Sequence, residues 1–386
     1  MNDAAIRDLG ETLARYSQLP YERAWSMPRA FYTDPRVLNH EAESLFLREW
    51  ICVGREEEVA KPGDYFVFRI WKESVVIMRG KDGKLRAFSN VCRHRGALIA
   101  SGSGNRHLLL CPYHNWSYDT LGRLVATPGI DPRDDFDRAD CRLPEFACTI
   151  WHGFIFVSLA DNPQPLAPML TELETLVRPY HLEEMKLRYL ADEVWPVNWK
   201  CLVENFMEGY HLTPLHRETL HPVNPSRLCS HFPPGDAYFG YNAGFDPSLP
   251  RSQGGHPDLS DAEAANCVMA AIPPGLVIGC AGDYSSFLCV QPDSVDHVRV
   301  KMGLIFFGAD WPQERVDWAV DLFQRTMGED KEVLVGLMQG LNSRHQRPGP
   351  LARADLEGPT WDFYKYLNRR LGAALRAVSD EVGAPR

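Results

Sequence analysis

Two pairs of metal-binding residues lie close together in the first third of the chain. Each pair joins one cysteine to one histidine, Cys92 to His94 and Cys111 to His114, and a polar, glycine-rich loop separates the pairs. Two thiolates and two imidazoles can hold a tetrahedral zinc ion. They can also hold a [2Fe–2S] cluster in which the cysteines bind one iron and the histidines bind the other.

The order of these ligands favours the iron–sulfur cluster over zinc. In a zinc finger the two cysteines commonly share one knuckle and the two histidines share a helix, whereas here each loop supplies one of each. This alternation suits a cluster in which each loop must reach both irons. Arg95-Gly96 after the first pair predicts a tight turn, and Pro112 restrains the second loop.

The same stretch resembles the cluster-binding signature of a known family, the Rieske non-haem iron oxygenases. The resemblance rests on CRHRG from residue 92 and on CPYHNWSYDTLGRL from residue 111, including Trp116, Tyr118 and the Gly122 turn. It implies a Rieske [2Fe–2S] cluster as the first cofactor, with the two Cys–His pairs as its ligands.

A second group of candidate ligands follows in the second half of the chain. On a helix, Glu204, Glu208 and His211 would share one face, because residues three and four apart are neighbours. Pro214 should end this helix just before it, with His216 in the turn beyond. Two histidines beside carboxylates suggest the 2-His-1-carboxylate triad of non-haem Fe(II) oxygenases. Taken alone, a structural pair of histidines is the alternative, but the cluster motif upstream favours Fe²⁺.

The stretch NWKCLVENFMEGYHLTPLH, residues 198–216, also resembles the catalytic helix of that family. The resemblance implies that His211 and His216 are iron ligands and that Glu208 links cluster and iron by hydrogen bonds to one ligand histidine of each site. Many ring-hydroxylating members have Asp where this chain has Glu208. With Glu at this position, the chain resembles the branch of the family that includes choline, glycine-betaine and carnitine monooxygenases. The alternative is that Glu and Asp interchange here without a change of function.

The third iron ligand is expected from the acidic stretch GEDKE, which begins at residue 328. The sequence predicts one helix over 312–327 and another over 330–343. Family members commonly place the carboxylate ligand at such a helix start, so the resemblance assigns Asp330. Glu329 is the alternative ligand, and otherwise we expect Glu329 and Glu332 to complement the helix dipole.

Composition indicates a reduced, globular, cytoplasmic enzyme. The 386 residues suffice for two domains, and 45% apolar with 24% charged residues is typical of soluble proteins. A net charge of −10 argues against a nucleic-acid partner. No apolar run approaches the roughly 18 residues of a membrane span, and no signal peptide is apparent. Ten cysteines in so long a chain do not form a disulfide scaffold, although a disulfide or second metal at Cys141 and Cys148 is an alternative.

The order of the predicted elements indicates an α+β protein. Residues 1–45 form an N-terminal helical segment that packs on the catalytic domain. Residues 46–160 read as a small all-β domain, with strands at 65–70 and 74–78 around a hairpin turn at 81–84. Residues 161–386 predict a helix-grip-like catalytic domain, in which a helix covers a curved antiparallel sheet.

The predicted activity is oxygenation with electrons supplied from outside. The chain has no convincing GxGxxG or flavin signature, so we expect a separate flavin- and iron–sulfur-containing, NAD(P)H-dependent reductase. The resemblance implies a head-to-tail homotrimer. The Glu208 pattern favours a monooxygenase that N-demethylates a small quaternary ammonium or N-methyl compound. The alternatives are hydroxylation of an aromatic ring or aromatic acid, and an electron carrier or zinc-stabilised binding protein without oxygenase chemistry.

Aromatic residues of the catalytic half could line the substrate pocket. They include Trp195, Tyr241 and Tyr284. Aromatic faces attract quaternary ammonium groups, but aromatics at strand spacing more often form a core.

Overall fold

A computed structural model describes residues 3–249, 254–308 and 310–378. Contacts divide the chain into two compact units, one of residues 46–166 and one that combines the residues up to 45 with those from 167 onward. The sequence predicts domain bounds at 45/46 and 160/161. No helix within the described ranges is long and apolar enough to cross a membrane.

The unit of residues 46–166 is built from antiparallel strands. A seven-stranded sheet has the order β1-β10-β9-β4-β3-β2-β5, and β6, β7 and β8 form a second, three-stranded sheet. The strands are β1 Ile51–Arg55, β2 Asp64–Ile70, β3 Glu73–Arg79, β4 Leu85–Ser89, β5 Ser103–Asn105, β6 Leu108–Leu110, β7 Ser117–Asp119, β8 Leu124–Ala126, β9 Glu145–Trp151 and β10 Phe154–Ser158. The predicted strands at 65–70 and 74–78 fall in β2 and β3, and Gly83 has the positive φ that the following turn requires.

The other unit contains a second seven-stranded antiparallel sheet, with the order β11-β17-β16-β15-β14-β13-β12. Its strands are β11 Lys186–Trp195, β12 Cys229–His231, β13 Phe239–Gly244, β14 Asn266–Ile272, β15 Leu276–Cys280, β16 Tyr284–Ser294 and β17 His297–Phe306. The predicted α+β class, with an all-β domain and a helix-covered antiparallel sheet, is confirmed.

This unit also contains helices, several of which pack on its sheet. They are α1 Asp3–Tyr16, α2 Ala30–Thr33, α3 Pro35–Glu41, α4 Leu166–Met169, α5 Thr171–Val177, α6 Trp199–Phe206, α7 Asp261–Ala264, α8 Gln313–Leu341, α9 Ala354–Leu367 and α10 Ala373–Arg376. α9 packs on β13, where the rings of Phe239 and Phe363 stack at 5.4 Å. α8 packs on β11, where Phe323 meets Tyr189 edge to face.

Two predicted helix boundaries are wrong. The helix expected to run to Pro214 ends at Phe206, because the residues beyond it form a turn that the carboxylate of Glu208 stabilises through the backbone N–H of His211 at 3.1 Å. The two helices expected around the acidic stretch are one continuous helix, α8. Gly328 lies on its exposed side, where a glycine lowers helix propensity by only about 1 kcal/mol and does not interrupt the packing.

A buried ion pair ties the N-terminal segment to the start of α6. The ammonium of Lys200 lies 2.5 Å from Glu41 Oε1, and the indole N–H of Trp199 donates to Glu41 Oε2 at 2.8 Å. Both charged side chains are fully buried, and the ammonium also lies 4.8 Å from the centre of the Phe31 ring. The desolvation cost of each charge is therefore offset only while its partner is present.

Lys200→Met should lower the free energy of unfolding by about 3–5 kcal/mol, because it leaves the carboxylate of Glu41 buried without a counter-charge. Thermal unfolding of the purified protein measures the effect. The double variant Lys200→Met/Glu41→Gln should recover most of the loss, since Gln keeps an acceptor for the Trp199 indole without a charge. Equal melting temperatures for the wild type and Lys200→Met would contradict this account.

Candidate metal centres

The two Cys–His loops have the same backbone conformation. The N–H of Cys92 donates to Ala97 O and the N–H of Gly96 donates back to Cys92 O. Likewise the N–H of Cys111 donates to the carbonyl of residue 116, and that of Asn115 donates back to Cys111 O. Gly96 and Asn115, at the fifth position of each loop, both have positive φ. One loop geometry therefore occurs twice, each time presenting a cysteine and a histidine.

This pair of loops fits a [2Fe–2S] cluster. Both thiols are buried, and the rings of His94 and His114 lie 4.8 Å apart. The Nδ1 atom of His114 is buried and has no hydrogen-bond partner among the described residues, a costly state that a metal bond relieves. Burial, together with the neighbouring Cys92, raises the pKa of the Cys111 thiol. Metal binding is what stabilises such a thiolate.

Tyr118 is placed to tune this site. Its hydroxyl accepts the backbone N–H of Arg93 at 3.0 Å and lies 3.4 Å from Cys92 Sγ. A metal-bound thiolate can only accept, so the hydroxyl hydrogen is the donor toward sulfur. Trp116 supports the other side of the site by stacking on the His94 ring at 4.7 Å with the planes 9° apart.

The second site brings together the three residues assigned to it from the sequence. His211 Nε2 and His216 Nε2 lie 3.6 Å and 3.2 Å from the same Asp330 oxygen, Oδ1. Ligand atoms about 2.1 Å from one metal are themselves separated by about 3.0–3.4 Å, so these separations suit a shared ion. Asp330 is only 2% exposed and His216 is fully buried, and His216 Nε2 has no hydrogen-bond partner among the described residues.

Carboxylates behind the rings fix which nitrogen faces the metal. His211 Nδ1 donates to Glu208 Oε1, and His216 Nδ1 donates to Glu329 Oε2 at 2.6 Å. With each Nδ1–H engaged, each Nε2 is left with its lone pair toward Asp330, as in metal sites whose ligand histidines donate to a carboxylate. Both rings are therefore held in the tautomer that binds a metal.

The charges of the site also favour a cation. Burial alone lowers the pKa of His211, but the charge and hydrogen bond of Glu208 and the charge of Asp330 outweigh it and raise that pKa. Asn205 steadies the carboxylate by donating to Asp330 Oδ1 at 2.9 Å. The donor set of two imidazoles and one carboxylate, with positions left open, is that of non-haem Fe(II) oxygenases.

Two expectations about the acidic stretch are corrected here. Asp330 lies inside α8 rather than at a helix start. Glu329 does not serve the helix dipole, because it is also interior to α8 and accepts hydrogen bonds from His216 Nδ1 and from Thr219 Oγ1 at 2.6 Å. The sequence shows the acidic pair Glu329 and Asp330. The separate role of Glu329, however, depends on where the fold places His216.

Glu208 contacts one of the two sites that it is expected to link. Besides orienting the His211 ring, it accepts backbone N–H groups of the turn that carries the ring, and Tyr241 donates to its carbonyl at 3.3 Å. The expected hydrogen bond to a histidine of the cluster stays a prediction.

Profiles of two protein families match the chain. The Rieske [2Fe–2S] domain matches residues 49–147. The catalytic domain of the ring-hydroxylating alpha subunit matches residues 175–373, which is more than half of the chain. The two matched regions contain the cluster loops and the second site, respectively.

Curated proteins similar to the chain are oxygenase subunits. The carnitine monooxygenase oxygenase subunit of Acinetobacter pittii (strain PHEA-2) is 29% identical over 84% of this chain and 87% of that protein. The glycine betaine monooxygenase oxygenase subunit of Chromohalobacter salexigens is 37% identical over 57% of this chain and 48% of that protein.

Solved structures share the fold. A quaternary ammonium Rieske monooxygenase aligns with a TM-score of 0.79 at 23% identity, covering 95% of this chain and 98% of that one. Naphthalene 1,2-dioxygenase from Rhodococcus sp. aligns with a TM-score of 0.80 at 20% identity, with the same coverage. At such identities the likeness concerns the fold alone, and the two structures do not separate the two candidate substrate classes.

Tyr118→Phe should lower the reduction potential of the cluster by on the order of 40 mV. The hydrogen bond to sulfur stabilises the more negative, reduced cluster, and its net value of about 1 kcal/mol corresponds to that shift when 59 mV is a tenfold change for one electron. A redox titration followed by the visible spectrum measures it. Tyr113→Phe is the control, since Tyr113 is 54% exposed in the same loop. An unchanged potential in Tyr118→Phe would contradict the assignment of the donor.

Glu329→Gln should weaken iron binding at the second site by about 10–100-fold while leaving the cluster spectrum intact. Gln no longer offers a carboxylate to His216 Nδ1, and loss of such partners typically costs this much metal affinity. Iron content after dialysis against a graded chelator series gives the affinity. Glu332→Gln, an exposed change on the same helix, should retain wild-type iron, and equal losses in both variants would refute the role of Glu329.

Proposed function

The chain belongs to the family of ring-hydroxylating oxygenase alpha subunits, and from this membership we propose which reaction it catalyses. It is the oxygenase component of a Rieske non-haem iron oxygenase, with a Rieske [2Fe–2S] domain and a catalytic iron domain. The proposed reaction is monooxygenation of an N-methyl group of a small quaternary ammonium compound. Similarity to a carnitine monooxygenase oxygenase subunit over 84% of this chain is the observation that carries the proposal.

Named residues of this chain would hold the two cofactors. Cys92 and Cys111 would bind one iron of the cluster, and His94 and His114 the other. The catalytic Fe²⁺ would be held by the set of His211, His216 and Asp330. When bound, these groups supply one-electron transfer and O₂ activation.

The remaining polar groups prepare the catalytic site. Glu208 and Glu329 hold the two imidazoles by their Nδ1 atoms, and Asn205 holds the carboxylate. Ring orientation is thereby set before any metal binds. Glu208 is also the proposed link from the cluster to the iron. In a head-to-tail homotrimer, that cluster belongs to the neighbouring subunit.

The product follows from the chemistry of the substrate. Insertion of one oxygen atom into an N-methyl C–H bond consumes O₂, two electrons and two protons, and releases water. The resulting N-hydroxymethyl group loses formaldehyde, so the net reaction is N-demethylation.

The electrons come from a separate reductase, for which we propose a flavin- and iron–sulfur-containing, NAD(P)H-dependent protein. No disulfide joins any of the ten cysteines, all of which lie in the described ranges, and this supports a reducing compartment such as the cytoplasm.

Reconstituted enzyme with a compatible reductase should release formaldehyde from a betaine or carnitine at the rate of NAD(P)H oxidation. No formaldehyde should appear with aromatic acids. Formaldehyde assay and product mass spectrometry measure the outcome. A variant with His211→Ala is the control, because it should lose turnover while keeping the cluster spectrum. Hydroxylated aromatic product without formaldehyde from any N-methyl compound would overturn the proposed substrate class in favour of aromatic hydroxylation.

A further inference from the structure

A pocket lies between α8 and the edge of the catalytic sheet. Its volume is about 250 Å³, just below the roughly 300–1,000 Å³ of pockets that take drug-sized ligands, so it suits a small molecule. Its lining includes Tyr189, Glu193 and Trp195 from β11, together with Phe323 and Lys331 from α8. We refer to it as the Lys331 pocket.

The pocket lies on the same face of the sheet as the turn after α6, which carries the proposed iron ligand His211. Directly paired residues of antiparallel strands share a face. Pairing runs from Tyr189 through Leu304, Ser286, Gly279 and Met269 to Tyr241. Tyr241 in turn donates to the backbone carbonyl of Glu208. The pocket and the turn that carries His211 therefore lie on the same face of the catalytic sheet.

An organic cation of the chain itself forms part of the wall of this pocket. The ammonium of Lys331 lies 2.8 Å from Glu193 Oε2 and 5.4 Å from the centre of the Trp195 ring. A carboxylate beside aromatic faces is the environment that binds alkylammonium and quaternary ammonium groups. Lys331 is 37% exposed, so its long side chain can leave the pocket by rotation without any change in α8.

The walls of the pocket are held without the help of the lysine. The indole N–H of the fully buried Trp195 donates to Glu193 Oε2 at 2.9 Å. Gln324 donates to the hydroxyl of Tyr189 at 3.1 Å, and the Tyr189 ring meets Phe323 edge to face. The hydrogen bonds from Lys331 and Trp195 outweigh burial and lower the pKa of Glu193. Trp195 remains a donor to the carboxylate when Lys331 is absent.

We propose that the Lys331 pocket is a second binding site for a small quaternary ammonium ion, in which the Lys331 ammonium is a displaceable resident. The choice of ligand class rests on the proposed function as well as on the pocket chemistry. A methylated onium ion suits the site because it places its charge against Glu193 and its methyl groups on Trp195, Tyr189 and Phe323. The tethered lysine competes with it for the carboxylate of Glu193 at low onium concentration.

Calorimetric titration of the holoenzyme with tetramethylammonium, without reductase, tests the proposal. Lys331→Met removes the competing charge and keeps the apolar stem, so it should strengthen binding at this site by about tenfold, the equivalent of 1.4 kcal/mol. Lys331→Met/Glu193→Gln should lose the gain. Lys331→Gln is the second variant if Lys331→Met does not fold, as judged from its melting temperature and cluster spectrum.

A matched control removes a different carboxylate from the same strand. Asp192 pairs with Arg299 at 3.1 Å, and its ion pair is about as exposed as that of Glu193 with Lys331. Asp192 faces the opposite side of the sheet, because neighbouring strand residues alternate. Lys331→Met/Asp192→Asn should therefore bind tetramethylammonium as Lys331→Met does.

Equal affinity and stoichiometry in the wild type and Lys331→Met would overturn the proposal. Equal losses from Glu193→Gln and Asp192→Asn would also overturn it, since the effect would then be one of general charge. The titration requires no turnover, so a failed formaldehyde assay with an intact Glu193-dependent site would count against the proposed reaction alone. Formaldehyde release without such a site would count against the second site alone.

Discussion

A buried carboxylate facing two imidazoles is the constraint on which the catalytic unit depends. Asp330 is almost fully buried, with Oδ1 3.2 Å and 3.6 Å from the two Nε2 atoms. An ionised group so far from water is costly unless it is paired or binds a metal. The amide of Asn205 donates to this carboxylate but does not neutralise it. Three carboxylates, those of Glu208, Glu329 and Asp330, contact the two imidazoles, so the site favours a cation of more than one charge.

Much of the chemistry could be predicted from the sequence because it is local. Cys92 and His94 are two residues apart, and one tight loop fixes how they are presented whatever the rest of the domain does. His211 and His216 are also close in the sequence, five residues apart. The length of α6 was not predictable, because the helix is replaced after Phe206 by a turn in which Glu208 accepts backbone N–H groups. A helical spacing of polar residues does not distinguish these two outcomes.

The role of Glu329 could not be predicted for a different reason. Its partner His216 is 113 residues away, and no local pattern records a contact at that separation. The strands β11 to β13 were not predicted either. Along β11, the apolar Leu190 and Val194 are exposed while Glu193 is half-buried, so polarity does not follow the two-residue period of a strand. β13 has glycine at both Gly240 and Gly244. Such segments become strands because neighbouring strands pair with them.

Three consecutive charged residues of α8 show how one helix can serve several purposes. Successive residues of an α-helix point about 100° apart, so Glu329, Asp330 and Lys331 face three directions. The first orients His216, the second faces both histidines, and the third lies against Glu193 on β11. Continuity of α8 through Gly328 is what relates these directions. Inserting one residue before Glu329 would rotate all three together, so a single insertion would displace the proposed ligand Asp330 and the orienting carboxylate of Glu329 at once.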